Sequence, residues 1–410
     1  FFVLLGALGI ARAGSGAGMR AWLLTGVALG LGILTKGPVA ALHLLPLALL
    51  GPWWLRAAES TASPRRWGPW YAGVGVAVLV GAAIALAWAI PTALAGGGEF
   101  GREIFWSQSV DRMVSTDHHR RPFWFYVAMA PVLVLPWLFL PIVWRGFAAL
   151  ARSGPSPTVR FAAAWLAPVA IGFSLFKGKQ IQYLLPEVPA IALLAAAGLS
   201  ALKTETRRWE PLAVALVFTA LAVALAWLSF QPRLAHLVQP ADRPWVWLSA
   251  AVLAAAAAVV AMAPLRDRVA TVTAIAAAGV AVVVGGFAGV GRAVFDGYDI
   301  APVSRHLAQA QQQGRPIAHF GKYHGQFQFV GRLGRPLEVI PTPTDLIEWA
   351  RRNPDGAVIV YAREPLTHAE GRPPQFRQKF KGRNVYVWRG ADLAGVSGHW
   401  HRVENDGDGS

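Results

Sequence analysis

The sequence predicts an all-α polytopic membrane helix bundle followed by a small α/β extracytoplasmic domain. Of the 410 residues, 55% are hydrophobic and only 15% are charged, whereas an ordinary soluble domain has about 25% charged residues. The hydrophobic residues lie in long uncharged blocks, which is typical of a chain that crosses a membrane several times. After residue 291 these blocks stop and charged residues become frequent. The composition therefore argues against an ordinary soluble enzyme.

The apolar blocks predict about nine complete spans and a partial first span within residues 1–291, since a span needs about 20 residues. The blocks fall at about 1–10, 21–35, 38–54, 70–91, 123–143, 161–176, 183–201, 211–230, 245–263 and 269–291. Blocks 21–35 and 38–54 are short and meet at Lys36-Gly37-Pro38. Either a tight helical hairpin or a single broken helix is compatible with this pattern. The chain starts inside an apolar run without Met, so we expect its beginning to be missing.

Basic residues in the connecting loops predict the orientation of the bundle. One set of loops holds 13 Lys and Arg residues and the alternate set holds 9. Cytoplasmic loops carry the excess of Lys and Arg, so the first set is predicted to be cytoplasmic. The second set includes loop 92–122 and loop 177–182, which we expect on the outer face of the cell inner membrane. By the same parity, residues from 292 on are expected to be periplasmic.

Residues 292–403 are predicted to form a soluble α/β domain. Strand-like and helix-like runs alternate along them. The strand-like runs include Pro316–Phe320, Leu337–Ile340, Ala357–Tyr361 and Asn384–Arg389, and Thr344–Arg352 is helix-like. The polar residues 404–410 are expected to be disordered.

Charge and cysteine content exclude several classes of partner and site. The net charge is +16, but the basic residues flank apolar blocks, which indicates contact with membrane lipid and not with nucleic acid. The chain has no cysteine, which excludes disulfide scaffolds, cysteine zinc sites, iron–sulfur clusters and thiol nucleophiles. It also has no P-loop, no HExxH motif and no GxGxxG in the context of a strand, turn and helix.

Loop 92–122 is the first candidate for a functional site. It carries Arg112, His118, Arg120 and Arg121 just before an aromatic run. Guanidinium groups bind phosphate in a bidentate manner, and histidine donates hydrogen bonds or binds metal. The alternative is a basic cluster at the membrane surface above an aromatic belt. Asp117-His118-His119 leaves a divalent metal ion open as a cofactor, and the sequence indicates no other.

Two shorter segments carry the remaining candidates. Lys179 and Tyr183 are four residues apart, so both would face one way if the segment were helical. Together they could hold a phosphate at the membrane edge, and the alternative is a plain turn with snorkelling lysines. Lys36 lies at a glycine–proline break on the same predicted face, where it could meet a phosphate or only mark a hairpin.

These three segments together resemble the GT-C class of polyprenyl-phosphate-dependent glycosyltransferases, in the branch of aminoarabinose transferases and protein mannosyltransferases. The resemblance rests on GLGILTKGP at 30–38, HRRPFWFY at 119–126 followed by LPW at 135–137, and Lys179, Tyr183 and Pro186 in KxxxYxxP. An outer soluble domain after the last span is also similar to that branch.

The resemblance implies a GT-C-like enzyme with a sugar linked to polyprenyl phosphate as the donor. An acceptor hydroxyl or phosphate attacks the anomeric carbon with inversion, and the acceptor is lipid A, another glycan or a protein. The base is an acidic residue of the first outer loop, which we expect upstream of residue 1. Basic and phenolic groups hold the lipid phosphate, which implies Arg112, Lys179 and Tyr183 here, with Arg120, Arg121, His118 and Lys36 as further candidates.

A transporter or lipid flippase is the rival hypothesis from another class. A transporter would place ionisable residues near the middle of the membrane and show a repeat between its halves. The sequence has no internal repeat, and its charges gather at the ends of the apolar blocks. A non-catalytic membrane scaffold with a binding tail is the third alternative, and the sequence upstream of residue 1 would discriminate it from an enzyme.

Overall fold

The computed structural model describes residues 1–55, 66–102, 121–176, 178–231, 242–263, 267–295, 297–362, 373–381 and 383–394. These residues group into two compact units. The first comprises 1–219 and 256–279, and the second comprises 220–255 and the chain from 280 on. Arg112, Arg120, His118 and the predicted tail 404–410 lie outside the described residues.

The chain up to residue 295 is helical in the described segments. The helices are α1 (Phe2–Gly14), α2 (Met19–Lys36), α3 (Val39–Leu49), α4 (Gly51–Leu55), α5 (Trp67–Arg102), α6 (Phe125–Leu133), α7 (Pro141–Ser153), α8 (Pro157–Leu175), α9 (Val188–Ala201), α10 (Glu210–Leu228), α11 (Arg243–Met262), α12 (Arg268–Gly286) and α13 (Arg292–Phe295). Short 3₁₀ helices cover Trp137–Phe139 and Ile181–Glu187, and a π-helical turn covers Phe287–Gly291.

Six segments among the described residues are long and apolar enough to cross a membrane. Their outer surfaces carry large apolar side chains, including Leu79, Leu216 and Val283, which are 71%, 69% and 70% exposed. Such exposure suits lipid as the surrounding medium, where every backbone polar group must be bonded within the helix. The chain is therefore a multi-pass membrane protein. The number of spans, about nine and a partial one, stays a prediction.

The apolar block 123–143 is not one helix. It divides into α6, the 3₁₀ turn at Trp137–Phe139 and the start of α7 at Pro141. Prolines 136 and 141 explain the breaks, because proline has no N–H to donate and disfavours helical backbone at the residue before it. The preceding break at residue 37 separates α2 from α3, and Gly37 has a φ of +74° there, which favours glycine.

Close helix packing in the first unit depends on small residues. Helix α2 packs against α1 and α5, and α9 packs against α7 and α8. Gly146 and Gly198 lie face to face between α7 and α9, and a Cβ atom added at Gly146 would lie 2.8 Å from the backbone of Gly198. A larger side chain at either position would push the two helices apart. Glycine therefore sets the distance between these helices.

The second unit contains a five-stranded mixed sheet. Its strands are β1 (Ile317–Phe320), β2 (Glu338–Ile340), β3 (Ala357–Ala362), β4 (Phe376–Phe380) and β5 (Arg383–Arg389). The order across the sheet is β2-β1-β3-β5-β4, with β1 parallel to β2 and β3 and with β5 antiparallel to β3 and β4. The helices of this part are α14 (Ala301–Gln312), α15 (Gln326–Gly331), α16 (Pro343–Arg352) and α17 (Gly390–Leu393).

Both faces of this sheet are covered, which explains why β3 is almost uniformly apolar. Side chains alternate between the two faces of a strand. Accordingly, Val358 and Val360 pack in one core with Trp349 of α16, and Ile359 packs in the other core with Leu307 of α14. The predicted small α/β domain is confirmed, as are its four strand-like runs within one residue at each end. Helix α14 and strand β4 complete it.

Candidate functional site

An aromatic cluster in the first unit gathers residues from four elements that are distant in sequence. Phe173, near the end of α8, is its centre. The ring of Phe173 lies 5.5 Å from the Tyr183 ring, 5.9 Å from the Phe176 ring and 6.4 Å from the Tyr126 ring. Its ring also lies 5.4 Å from the imidazole of His43 on α3. The cluster thus brings α3, α6, α8 and the 3₁₀ helix Ile181–Glu187 together.

Lys179 is buried beside this cluster, with 5% of its surface exposed. Its ammonium group donates one hydrogen bond to the carbonyl of Phe176 and another, 3.0 Å long, to the carbonyl of Arg121. Phe176 is the residue that caps the C-terminus of α8, where helix carbonyls have no partner within the helix and a cation is favourable. Lys179 therefore caps the C-terminus of α8 and links this helix by a hydrogen bond to the segment that leads into α6.

The loop before the 3₁₀ helix has a second connection to α6. The hydroxyl of Tyr126 donates a 3.3 Å hydrogen bond to the carbonyl of Gln180. Gln180 is extended, with φ −134° and ψ 139°. Lys179 and Tyr183 were expected to face one way only if their segment were helical, and that condition is not met, because Lys179 precedes the 3₁₀ helix and Gln180 between them is extended. Tyr183 packs on the Phe173 ring, and Lys179 donates to the carbonyl of Phe176 at the end of the same helix.

Arg121 is the third predicted residue near this place. Its carbonyl accepts the hydrogen bond from Lys179, its side chain is exposed, and its guanidinium lies 5.8 Å from the centre of the Phe125 ring. Lys36 is exposed at the end of α2, three residues before Val39, which packs against the aromatic cluster. Lys179, Tyr183 and Arg121 are thus brought to one end of α8.

A buried polar pair beneath the cluster was not predicted. The Nδ1 atom of His43 lies 2.6 Å from Oε1 of Glu187, and these residues are 4% and 0% exposed. Residue spacing carries no signal for this pair, because the two positions are 144 residues apart. An ionisable side chain in an apolar block was the available hint.

The segment that left a divalent metal ion open, Asp117-His118-His119, lies outside the described residues. Within the part of the chain that the structure describes, no three His, Asp or Glu side chains converge as a metal site would need. What the described residues offer is a cation, a phenol and a guanidinium around an apolar cluster, which suits a phosphate attached to a lipid.

Comparison with known proteins finds sequence relatives over part of the chain and solved structures with a similar fold. No family model matches the chain. A protein of Pectobacterium carotovorum named undecaprenyl phosphate-alpha-4-amino-4-deoxy-L-arabinose arabinosyl transferase is 30% identical over 237 residues, which are 55% of this chain and 39% of that protein. A protein of the same name from Pseudomonas paraeruginosa is 35% identical over 175 residues, 42% of this chain and 30% of that protein.

Solved structures agree over a larger part of the chain. The crystal structure of ArnT from Cupriavidus metallidurans bound to undecaprenyl phosphate has a TM-score of 0.63 at 19% identity, covering 97% of this chain and 73% of that one. The apo structure of the same protein has a TM-score of 0.61 and covers 92% and 70%. The chain is related in sequence to aminoarabinose transferases and has their fold. The predicted GT-C-like fold is confirmed. The matched segments span less than half of each of the two transferases named above.

Proposed function

We propose that this protein is a membrane glycosyltransferase that moves a sugar from a polyprenyl phosphate to an acceptor. The observation that carries the proposal is the buried ammonium group of Lys179. Among the described residues it forms no ion pair with a carboxylate, and its two hydrogen bonds go to neutral carbonyls. A buried charge is costly unless an opposite charge compensates it. A phosphate supplies that charge.

The chemistry of transfer explains why cations would lie there. When the bond between the sugar and the phosphate breaks, negative charge grows on the leaving phosphate. Groups that bind this charge more strongly in the transition state than in the ground state lower the barrier. An ammonium group has three N–H donors. Among the described residues, the carbonyls of Phe176 and Arg121 accept two of those of Lys179, which leaves the third for a phosphate oxygen. Tyr183, which packs on Phe173, and Arg121, whose carbonyl accepts from Lys179, supply a phenol and a guanidinium near the same end of α8.

The remaining predicted phosphate ligands are Arg112, Arg120, His118 and Lys36, with the catalytic base expected from the sequence upstream of residue 1. On the names of its relatives, the donor we propose is undecaprenyl phosphate carrying aminoarabinose. The acceptor we propose is lipid A, with a protein or another surface glycan as the alternatives. The proposed location is the inner membrane. The phosphate site and the α/β domain predicted at residues 292–403, called the sheet domain below, are proposed to lie on the periplasmic side.

The test compares two cationic side chains, Lys179 and Arg268, which both donate hydrogen bonds to carbonyls at the C-terminus of a helix. Arg268 donates to the carbonyls of Leu199 and Leu202, at 2.6 and 2.8 Å, where α9 ends. Lys179→Met and Arg268→Met, made in the protein expressed from its complete gene, should both lower stability. Only Lys179→Met should lower sugar transfer for each folded molecule, by about 100-fold or more, since a lost contact to developing charge costs about 3 kcal/mol.

Arg112→Ala extends the test to the loop that lies outside the described residues, and its transfer rate should fall as well. Binding of undecaprenyl phosphate is measured on the same purified variants. Transfer at the wild-type rate in both folded Lys179→Met and folded Arg112→Ala would contradict the phosphate site. Equal losses in Lys179→Met and Arg268→Met would assign Lys179 a structural role alone.

A further inference from the structure

The 3₁₀ helix that carries Tyr183 is long for its kind. It runs over seven residues, Ile181–Glu187, whereas 3₁₀ helices longer than three or four residues are uncommon because their hydrogen bonds have poorer geometry. Pro186 also removes one N–H from it. Such a segment keeps its shape only if contacts with the rest of the protein hold it.

Those contacts hold it at both ends. At the start, the carbonyl of Gln180 accepts the hydrogen bond from Tyr126. At the end, Glu187 bonds to His43 of α3. With three residues per turn, Leu184 and Glu187 share one face, and both are buried, at 7% and 0% exposure. Glu187 is therefore the anchor that fixes the rotation of the helix around its axis, and with it the direction of Tyr183.

His43 acts on the same tyrosine by a second route. Its ring lies 5.4 Å from the Phe173 ring, and Phe173 in turn lies 5.5 Å from the Tyr183 ring. The pair thus supports both the backbone that carries Tyr183 and the aromatic ring on which Tyr183 packs. Both routes run through side chains that are buried in the first unit.

Stability alone does not explain a buried pair of this kind. Replacing a buried ionisable pair with apolar residues is often neutral or stabilising, because both groups lose their hydration on burial. Here the second carboxyl oxygen, Oε2, is buried with no hydrogen-bond partner among the described residues, which adds to the cost. A pair with such a cost is expected where a defined geometry matters for function.

We infer that His43 and Glu187 are positioning residues that set where the Tyr183 hydroxyl meets the donor phosphate. This inference rests on the proposed function, because it gives Tyr183 a phosphate to bind. His43 and Glu187 themselves do not touch the donor. They act through the orientation of the 3₁₀ helix and through the packing of Phe173.

The experiment is a double-mutant cycle between Glu187→Leu and Tyr183→Phe, measured as kcat and KM for the lipid-linked donor in the protein from its complete gene. Glu187→Leu should raise KM or lower kcat by roughly ten- to a hundredfold in total, as losses of supporting residues do. In the Tyr183→Phe background the same change should have almost no further effect. Glu187→Gln keeps a hydrogen bond to His43 and should restore most of the activity.

Glu210→Leu is the matched control. Glu210 is also fully buried in the first unit, and its hydrogen-bond partners are Arg145, at 2.8 Å, and the backbone N–H of Arg207, which are not members of the aromatic cluster. Its effect on activity for each folded molecule should be small and additive with Tyr183→Phe. If Glu187→Leu folds poorly, the double variant His43→Leu/Glu187→Leu replaces the pair with apolar side chains and should show the same kinetic defect in a stable protein.

The outcomes separate this inference from the proposed function. Wild-type kinetics in Tyr183→Phe alone would remove Tyr183 from the phosphate site and overturn this inference, whereas the site itself is tested by Lys179→Met and Arg112→Ala. A clear defect in Tyr183→Phe, combined with additive effects of Glu187→Leu or with wild-type kinetics in His43→Leu/Glu187→Leu, would overturn the positioning role and leave the phosphate site in place. A coupled defect, rescued by Glu187→Gln and not shared by Glu210→Leu, supports the inference.

Discussion

The buried histidine of the sheet domain gives the protein a stability that depends on pH. His319 on β1 is 1% exposed, and its ring lies 5.0 Å from the Tyr323 ring and 5.7 Å from the Tyr361 ring. Burial, which disfavours the charged imidazolium, lowers the pKa of His319 from 6.5 to about 4. The hydrogen bond with the carbonyl of Gly321 raises this pKa and offsets part of the effect of burial. His319 is therefore neutral in the folded domain at pH 7.

The size of the effect follows from this pKa. Above pH 6.5 His319 is neutral in both the folded and the unfolded chain. Its titration therefore does not lower the free energy of unfolding there. Between pH 6.5 and about 4 the unfolded chain takes up the proton while the folded domain does not, so unfolding becomes easier as the pH falls. Each pH unit in this window is worth about 1.4 kcal/mol. The free energy of unfolding is therefore lower by about 2 kcal/mol at pH 5, and by about 3 kcal/mol below the pKa of the folded state.

The assay is thermal unfolding of the purified protein in detergent at pH 7.5 and pH 5.0, for the wild type and for His319→Phe. Phenylalanine fits the aromatic surroundings and cannot take up a proton. The wild type should lose about 2 kcal/mol more than His319→Phe on acidification. His324→Gln, which changes an exposed histidine five residues away, should keep most of the wild-type dependence. Equal pH dependence in the wild type and His319→Phe would refute the reasoning.

Two further predictions concern packing. Gly146→Ala should lower the melting temperature, because its Cβ would lie 2.8 Å from the Gly198 backbone, whereas Gly75→Ala, with no atom within 4 Å of the added Cβ, should leave it unchanged or raise it. Equal melting temperatures for the two variants would show that α7 and α9 can separate freely. Trp349→Ala should destabilise the sheet domain by about 3–5 kcal/mol, measured by denaturant unfolding, since Trp349 is 1% exposed and its indole donates to Glu338. A loss below about 1 kcal/mol would contradict that packing.

Local pattern predicted much of the fold because membrane spans and strands leave a signal within a short window. Thr344–Arg352 was predicted as helix, and α16 adds one residue, Pro343, after a threonine that caps it. The run Ala357–Tyr361 became β3, whose continuous apolar character reflects cover on both faces. The block 123–143 misled the prediction, because its hydropathy suggested one span while its prolines divide it.

The candidate site was predictable only in its chemistry. Lys179, Tyr183 and Arg121 were singled out because cations and phenols at a membrane edge suit a phosphate, and their motif-like surroundings resembled a known class. The condition for Lys179 and Tyr183 to share a helix face is not met, since Gln180 between them is extended and Tyr183 lies on a 3₁₀ helix. Arg112, Arg120 and His118 keep their predicted roles as proposals.

The sequence by itself determined that this protein is a membrane helix bundle with an α/β domain, because hydropathy, charge and alternation are properties of neighbouring residues. Only the tertiary structure decided which side chains meet. Lys179 donates to the carbonyl of Arg121, which is 58 residues away in the sequence, and Glu187 pairs with His43, which is 144 residues away. Such contacts depend on how helices pack and where prolines break them, and the free energy of that packing is shared among many distant residues. No short window of sequence contains it.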